Sequence, residues 1–450
     1  MAVSGSAAGQ LDENLTRRQL LRAVIAATVG TTIEWYDFFV YGFAASLYLG
    51  PLFFPSKDPT VSTLTALSTY FGGFAARPVG AAIFGHFGDR IGRKATLIAT
   101  LLVMGISTVL VGLVPTYAQI GIWGGIALTV LRILQGIGVG GEWGGSVLLS
   151  VEWGHRGRRG FLGSWPQFGV PAGLVLGYGA LQAFTLALGK SSYWGWRLPF
   201  LLSALLVVVG LYIRLGILET PIFARLLEER KIERVPVLEV WRKQWAEIVL
   251  SCLIRTGQQA PFYIFTVFVL TYATKVLGFA QSTTFNFVLV AALVSCFTVP
   301  FFGHLSDRVG RKRMYLIGAV GMLIWSFPYW ALLDTKTPAL VFLAIVLALP
   351  IHDMQYGPQA TFIAESFTGR LRYSGASLGY QLASITAGGP APLIAVALLA
   401  AYKSSLPIAA YMAGCAVVTI IATLLLRERS RVDISVEYDE SPARLDAASV

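Results

Sequence analysis

Long apolar stretches alternate with short polar ones along almost the whole chain. Twelve of them reach the length of about 20 residues that a helix needs to cross a bilayer. An apolar run of that length must satisfy its own backbone groups inside lipid, which a helix does. The pattern therefore predicts an all-α polytopic membrane protein with twelve transmembrane helices, with rough boundaries 23–49, 61–84, 95–114, 121–150, 161–184, 196–217, 247–274, 283–304, 314–333, 338–364, 375–400 and 406–426.

A ten-residue pattern occurs twice in corresponding places. The sequence GHFGDRIGRK at 85–94 follows the second apolar stretch, and GHLSDRVGRK at 303–312 follows the eighth. A repeat at this distance indicates two similar halves, an architecture found in secondary transporters. The predicted organisation is a polar cytoplasmic tail over 1–22, a six-helix bundle over 23–217, a central cytoplasmic linker with a short amphipathic helix over 218–246, a second six-helix bundle over 247–426 and a charged cytoplasmic tail over 427–450.

Charge changes the picture by fixing an orientation. The chain is 55% hydrophobic and 13% charged, whereas soluble domains carry about 25% charged residues. Its net charge of +11 would suit nucleic acid, but Lys and Arg are concentrated in the loops of one side. The positive-inside rule therefore predicts a multi-pass protein of the cell membrane, with both termini cytoplasmic, that contacts the lipid bilayer and no nucleic acid. The loops of the other side contain only Lys57, Lys190, Lys275, Lys336 and Lys403.

The sequence disfavours enzymatic and metal chemistry. It contains no Gly-x-x-x-x-Gly-Lys-Ser/Thr loop for a nucleotide, no nucleophile elbow and no zinc signature. Its three cysteines, Cys252, Cys296 and Cys415, lie in apolar stretches and form no CxxC pair. We therefore expect a protein that is not an enzyme and that holds no cofactor or metal.

Several motifs resemble those of a known family. The duplicated pattern Gly-x-x-x-Asp-Arg-x-Gly-Arg-Lys resembles the loop between helices 2 and 3 of the major facilitator superfamily, and RILQGIG at 132–138 resembles a second motif of that superfamily. A further set, spread over residues 28 to 400, resembles the metabolite:proton symporter family: EWYDF at 34–38, RP at 77–78, GGEWGG at 140–145, GWRLPF at 195–200, ETP at 219–221, RYSG at 372–375 and YQ at 380–381.

This resemblance implies a fold of two pseudo-symmetric six-helix bundles that works by alternating access. It also implies a substrate among shikimate, 2-oxoglutarate, citrate, other carboxylates, proline and betaine. The residues at 141–145, 352–354 and 373–375 are most similar to the shikimate branch. We expect a monomer whose partners are a small-molecule substrate and the proton.

The repeated loops are predicted to form a gate that closes the cytoplasmic side. Each supplies glycines for tight turns, an aspartate that can accept hydrogen bonds from the amino end of a nearby helix, and arginines that can pair with acids elsewhere. Two acids stand at matching places after the fourth and tenth stretches. The predicted gate residues are Gly85, Asp89, Arg90, Gly92 and Arg93 in the first copy, Gly303, Asp307, Arg308, Gly310 and Arg311 in the second, and the acids Glu152 and Glu365.

Ionisable residues inside membrane segments are costly and usually functional. Glu34, Asp37 and Tyr41 share one face of the first helix because they are spaced i, i+3, i+7. A carboxylate that pairs with an arginine only in some states can take up and release a proton. Asp37 with Arg132 fits this role and resembles the acid–arginine pair of proton-coupled sugar carriers, although a static salt bridge remains the alternative. Glu34 and Glu142 are further candidates for proton coupling.

Arg255 and Arg77 are candidate partners for an anionic substrate, because the planar guanidinium suits a carboxylate. Arg77 has a structural role as an equal alternative. Glu142 is expected near the outer half, away from Arg77, so at least one arginine should wait for the substrate. His352 could relay protons, although a hydrogen bond to Asp353 is the simpler role. The predicted substrate-binding residues are Arg255, Arg77, Tyr41, Gln259, Tyr263, His352, Gln355, Tyr356, Tyr380 and Gln381.

The sequence thus favours proton-coupled symport of a small hydrophilic organic acid, such as shikimate or a di- or tricarboxylate. A symporter of a zwitterion such as proline or betaine remains open, as does an exporter or facilitator on the same fold. A membrane receptor is disfavoured because it would need a long cytoplasmic or outer domain.

The topology can be tested with single cysteines in a cysteine-free background. A membrane-impermeant maleimide added outside intact cells should label Lys57→Cys, Lys190→Cys and Lys336→Cys, because the positive-inside rule places these positions outside. The same reagent should leave Arg90→Cys and Arg308→Cys unlabelled until the membrane is permeabilised. The reverse labelling pattern would invert the predicted orientation.

Overall fold

The computed structural model describes residues 3–57, 59–154, 156–189, 192–228, 235–430, 432 and 434. The first half contains six long helices. A π-helical turn, Ala45–Leu49, and a short helix, Gly50–Phe53, extend the first of them. The six are α1 (Val3–Ala44), α2 (Pro59–Arg90), α3 (Arg93–Leu113), α4 (Ile122–Glu152), α5 (Arg159–Leu188) and α6 (Leu198–Leu215).

The second half also contains six membrane helices, two of which are segmented. Helix α7 consists of Trp245–Ile254, Thr256–Tyr263, a π-helical turn Ile264–Phe268, and Val269–Lys275. Helix α11 consists of Arg372–Ala383, a π-helical turn Ser384–Gly388, and Pro390–Tyr402. The others are α8 (Gln281–Val309), α9 (Arg311–Asp334), α10 (Pro338–Ala364) and α12 (Leu406–Leu425).

The predicted all-α architecture is confirmed, since each of the twelve apolar stretches coincides with one of these helices. Within the described ranges, nine helices are long and apolar enough to cross a membrane. The other three membrane helices are α1, which carries Glu34 and Asp37, α2, and the segmented α7. Charged residues and breaks in the helix lower the mean hydropathy of such helices, but all three still pack within the bundles.

Three segments differ from the sequence prediction or lie outside the structure. Helix α1 begins at Val3, so most of the predicted polar tail over 1–22 is helical, in line with its many Ala, Leu, Gln and Arg residues. The linker holds two short helices, Pro221–Glu228 and Pro236–Lys243, where one was predicted. Positions outside the described residues include Lys190, 229–234 in the linker and 435–450 in the C-terminal tail.

The two halves meet through helices that hold equivalent places. Helix α2 packs against α11, and α5 packs against α8 and α10. Because α8 is the counterpart of α2 and α11 is the counterpart of α5, the two main contacts are related by the internal repeat. The space between the bundles is therefore bounded on two sides by equivalent pairs of helices, α2 with α11 and α5 with α8.

The glycines of the repeated loops serve two different purposes. Gly85 and Gly303 were predicted in tight turns but lie inside α2 and α8. A Cβ on Gly85 would lie 2.9 Å from the Cα of Ser374, and Gly303 likewise packs directly against α5. These two glycines allow the halves to approach closely. Gly92 and Gly310 do lie in turns, where φ angles of 122° and 103° require glycine.

Candidate functional site

A small cavity lies between the bundles. Half of the residues that line it come from α7, near the point where that helix is interrupted and turns π-helical. Such interruptions are frequent at functional sites, because they free backbone groups and redirect side chains. The cavity is lined by Trp35, Val170, Arg255, Gln258, Gln259, Phe262, Tyr263, His352, Tyr356 and Tyr380.

Arg255 brings a positive charge into the cavity. Its guanidinium lies 3.2 Å from the centroid of the Tyr380 ring. It donates hydrogen bonds to Gln359 Oε1, at 3.3 Å, and to the main-chain oxygen of Tyr380. In the part of the chain that the structure describes, no carboxylate pairs with Arg255. Its charge is therefore held by neutral groups and is left without a counter-charge.

Two neutral groups in the cavity wall form no well-aligned hydrogen bond. The Gln259 Oε1 and the Tyr263 hydroxyl are buried without such a bond among the described residues, although the Arg77 side chain lies close to the Tyr263 hydroxyl. Leaving such a group unsatisfied costs about 1–3 kcal/mol. Trp35 and Phe262 add an apolar wall, with ring centroids 6.4 Å apart. The cavity thus offers a cation, a donor or acceptor hydroxyl, an amide oxygen and aromatic surface, a combination suited to a small polar anion.

Two of the predicted substrate-binding residues belong to the first bundle and do not line the cavity. Arg77 lies over the rings of Phe38 and Phe74, at 4.6 and 4.5 Å from their centroids. Tyr41 packs inside the bundle, where the Arg132 guanidinium lies 4.3 Å from its ring centroid. Both are therefore structural neighbours of the cavity wall rather than parts of its surface.

Two predicted glutamines do not line the cavity either. Gln355 donates a 3.3 Å hydrogen bond to the Gly318 oxygen of α9, and Gln381 donates one of 3.5 Å to the Val139 oxygen of α4. The spacing i, i+3 separates Gln355 from His352 by about 60° around the helix axis. Because of this angular separation, His352 faces the cavity while Gln355 faces α9, where Gly318 has no side chain to obstruct it.

The buried Asp37 carboxylate does not contact Arg132 directly in this structure, and a pair that forms only in some states stays a prediction. It accepts hydrogen bonds from Ser203 and, at 2.8 Å, from the Thr108 hydroxyl. Arg132 donates to Gln135 Oε1 at 2.9 Å, and Gln135 Nε2 donates to Thr108. The two hydroxyls donate to the carboxylate oxygens, so Arg132 is connected to Asp37 only indirectly, through Gln135 and Thr108. No sequence signal distinguished Thr108 and Ser203 from other hydroxyls in apolar helices.

Glu142 lies in the inner half of the first bundle, whereas the sequence placed it near the outer half. It forms an ion pair with Arg214, near the end of α6, and accepts hydrogen bonds from Thr100 at 2.8 Å and Ser146 at 3.1 Å. The side chain of Arg214 fits because Gly30 of α1 has none of its own. Arg214 lies at the inner end of an apolar stretch, where the sequence suggests only a role in topology, so its buried partner could not be predicted.

Glu34 is the other acid of α1. It is 2% exposed, and no hydrogen bond or ion pair holds it within the described ranges. Its electrostatic neighbours are Arg77, Arg214, Glu142 and Asp37. A charged carboxylate without a contact partner is costly in an apolar bundle. Glu34 is therefore well placed to hold a proton in the state that the structure shows.

The repeated loops close the inner end of the molecule, which is the end predicted to face the cytoplasm. Asp89 accepts hydrogen bonds from the main-chain nitrogens of Tyr373, at 3.3 Å, and Ser374, at 2.9 Å, in the first turn of α11. Asp307 accepts two, at 2.8 and 2.9 Å, from the first turn of α5. Each aspartate thus binds the positive end of a helix from the opposite half.

The first copy of the loop forms an ion-pair network. Arg93 lies 3.4 Å from Asp89 and 3.5 Å from Glu152, and Glu152 lies 3.2 Å from Arg372 of α11. All four side chains are buried. Arg90 is exposed and forms no ion pair in the described part of the chain, so the structure gives it no place in this network.

The second copy forms a similar network. Arg311 lies 2.8 Å from Asp307 and 3.5 Å from Glu365, and Arg159 of α5 lies 3.9 Å from Glu365. Burial raises the pKa of Glu365, and the two neighbouring guanidinium groups lower it in part. Arg308 is exposed, like its counterpart in the first copy. The two networks hold the inner ends of both halves together.

The segment after α12 adds a contact that the sequence did not suggest. Arg159 donates a 3.2 Å hydrogen bond to the main-chain oxygen of Val432, and Arg372 donates one of 2.7 Å to that of Ile434. Ile434 is 2% exposed. Since Arg159 begins α5 and Arg372 begins α11, this segment is attached to both halves.

Comparison with known proteins agrees with this geometry. A model described as the Major Facilitator Superfamily matches residues 27–391. The chain is similar to three proteins of Escherichia coli strain K12. They are the "Inner membrane metabolite transport protein YhjE" (39% identical, covering 90% of this chain and 94% of that protein), the "Shikimate transporter" (37%, 91% and 95%) and the "Proline/betaine transporter" (32%, 91% and 84%).

Solved structures share the fold. A structure of the proton:xylose symporter XylE bound to 6-bromo-6-deoxy-D-glucose matches with a TM-score of 0.74, at 18% identity, covering 91% of this chain and 95% of that one. The matched proteins are transporters and not enzymes.

The gate contacts lead to a prediction for the inner end. Asp89→Asn should speed the modification of a cavity cysteine, Val170→Cys, by about tenfold when the reagent is added to inverted membrane vesicles, whose outer surface is the cytoplasmic side. The reason is that an asparagine loses the charge-assisted hydrogen bonds to α11, which are worth about 1.5–3 kcal/mol each. Arg90→Gln, in the same loop but exposed, is the matched control and should leave the rate unchanged. Equal rates for both variants would remove Asp89 from the gate.

Proposed function

Since the chain belongs to the major facilitator superfamily, we propose that it is a symporter that uses the proton gradient to import a small organic anion, such as shikimate or a di- or tricarboxylate. It would work in the cell membrane, with both termini in the cytoplasm. One observation carries the proposal above all others: Arg255 brings an uncompensated positive charge into the cavity between the bundles.

The charge of Arg255 argues for an anionic substrate on energetic grounds. A cation in the middle of a membrane costs at least about 2.5–3.5 kcal/mol on insertion scales unless it is paired. A neutral sugar would leave that cost in place, whereas a carboxylate would neutralise the charge and match the planar guanidinium with two hydrogen bonds. The Gln259 Oε1 and the Tyr263 hydroxyl would then bind hydroxyl groups of the substrate.

The proton would bind in the first bundle, whereas the substrate would bind Arg255 of the second bundle. Asp37 and Glu34 are buried in the first bundle, and neither lines the cavity. When Asp37 is charged, its hydrogen bonds through Thr108 and Gln135 to Arg132 tie α1, α3 and α4 together. Protonation weakens that link and loosens the bundle. Proton and substrate would thus influence each other through movement of one bundle against the other.

A zwitterion is the second candidate substrate, and the aromatic wall favours it. The ammonium group of a proline- or betaine-like molecule could lie against the rings of Trp35 and Phe262 while its carboxylate binds Arg255. The similarity to the Proline/betaine transporter supports this alternative, although the identity is lower than to the Shikimate transporter.

Uptake into proteoliposomes tests the proposal. The purified protein should accumulate at least one acid of a labelled panel of shikimate, 2-oxoglutarate, citrate, proline and betaine when the outside is acidic, and should alkalinise the outer medium as it does so. Asp37→Asn should abolish accumulation but retain exchange of labelled for unlabelled substrate, because the amide cannot carry a proton. Normal proton uptake by Asp37→Asn would move the proton site to Glu34 or Glu142.

Arg255→Lys tests the anion site. The lysine keeps the charge but loses the two-pronged geometry, so the apparent affinity for the organic acid should fall by roughly tenfold, the effect of one lost charge-assisted hydrogen bond of about 1.4 kcal/mol. Arg197→Lys is the matched control. Arg197 is as buried as Arg255, but it lies in the first bundle, at the start of α6, where it donates hydrogen bonds to main-chain oxygens. Wild-type affinity in Arg255→Lys, or uptake restricted to a neutral solute, would contradict the proposal.

A further inference from the structure

We propose that protonation of His352 releases Arg255 for the substrate, through a chain of two amide side chains, and so makes anion binding tighter at acidic pH. The inference rests on the proposed function, in which Arg255 binds the carboxylate. It assigns the second bundle a protonation site of its own, separate from Asp37.

The chain begins at Arg255 and ends at Asp353. Arg255 Nε donates to Gln359 Oε1 at 3.3 Å, and Gln359 Nε2 donates to Gln258 Oε1 at 3.2 Å. Gln258 Nε2 is hydrogen-bonded to His352 Nε2, and His352 Nδ1 lies 2.8 Å from Asp353 Oδ1. All five side chains are at most 2% exposed. Water therefore cannot substitute easily for any member of the chain.

Every hydrogen bond of this chain points in the same direction. An amide nitrogen only donates, so His352 Nε2 must accept from Gln258. The ring proton of a neutral His352 then sits on Nδ1, where it is donated to Asp353. Donation runs without a break from the arginine to the aspartate, and such chains strengthen each of their bonds. The tautomer of His352 is therefore linked to the orientation of both amides.

The charges around Asp353 favour an additional proton. Thr298 donates a hydrogen bond to its second oxygen, and no arginine or lysine pairs with it among the described residues. With a neutral His352, the two residues carry an unbalanced negative charge inside an apolar bundle. A proton on His352 converts them into an ion pair without net charge, which is much less costly there.

Protonation reverses the direction of the chain. A protonated His352 donates from Nε2, so Gln258 must turn its amide oxygen towards it, and Gln359 must turn in response. The Gln359 nitrogen then faces Arg255, which loses this acceptor and keeps only the main-chain oxygen of Tyr380. The Tyr315 hydroxyl, 2.7 Å from Gln359 Nε2, can donate to the turned oxygen by giving up its hydrogen bond to the main-chain oxygen of Ile254. A substrate carboxylate then supplies the acceptor that Arg255 has lost.

Other groups that could titrate face the chain from each neighbouring helix. Tyrosine and arginine keep their charge between pH 5 and 8, whereas imidazole changes its charge within this range. The remaining groups are Arg255 and Tyr263 on α7, Cys296 on α8, Tyr315 on α9, Asp353 and Tyr356 on α10, Tyr380 on α11 and Glu34 on α1.

The test is equilibrium binding of radiolabelled shikimate to the full-length protein in lipid nanodiscs between pH 5 and 8. Shikimate is predominantly negatively charged over this whole pH range, because a carboxylic acid has a pKa of about 4. The wild type should bind about tenfold more tightly at the acidic end. Gln258→Met keeps the volume but breaks the chain, so most of the tenfold change of affinity with pH should be lost, and His352→Gln should behave in the same way. The part that remains is the contribution of Asp37 in the first bundle.

Gln355→Met is the matched control. It makes the same substitution at a buried glutamine, one turn from His352, whose amide faces α9, so the tenfold pH dependence should remain. An unchanged pH dependence in Gln258→Met, or its absence in the wild type, would overturn the inference and leave the proposed function intact. Failure of the wild type to bind any acid of the panel at any pH would instead overturn the proposed function, and the inference with it.

Discussion

The structure depends on one reciprocal contact, in which an aspartate of each half binds the amino end of a helix in the other half. Asp89 binds the start of α11 and Asp307 binds the start of α5. Because the two contacts are related by the internal repeat, they close the inner end evenly. The charged side chains around the space between the bundles are almost fully buried, and burial sets the energetic rules for every charge inside.

Those rules explain how the charges are distributed. The ion pairs of the gate and the Glu142–Arg214 pair satisfy each other. Arg255, Asp353, Asp37 and Glu34 are among the exceptions, since none of them pairs with a group of fixed opposite charge within the described ranges. Arg255 and Asp353 lie at the two ends of one chain of hydrogen bonds in the second bundle. A substrate anion and a proton are the two species that would neutralise them, one at each end.

Much of the fold followed from the sequence, because apolar length and the duplicated loop are strong signals. The approach of Asp89 and Asp307 to helix amino ends, and of Arg93 to Glu152, also followed from matching positions in the two halves. Six residues predicted to bind substrate line the cavity, since they share helix faces with other polar residues.

Other features could not be foreseen. The hydroxyls around Asp37, the burial of Arg214 and the turn of Gln355 towards α9 depend on the rotation of each helix about its axis. The pattern of apolar residues leaves that rotation open when a helix is apolar on most sides.

The C-terminal segment has a consequence for how such proteins are compared. It is attached to α5 and α11 through the main-chain oxygens of Val432 and Ile434, which any residue type can provide. Substitutions at exposed positions there would leave those two bonds intact, so related chains can diverge in this stretch while keeping the same attachment. An insertion or deletion directly after α12 would shift both oxygens out of reach at once. In this region the attachment depends on the length of the chain more than on its composition.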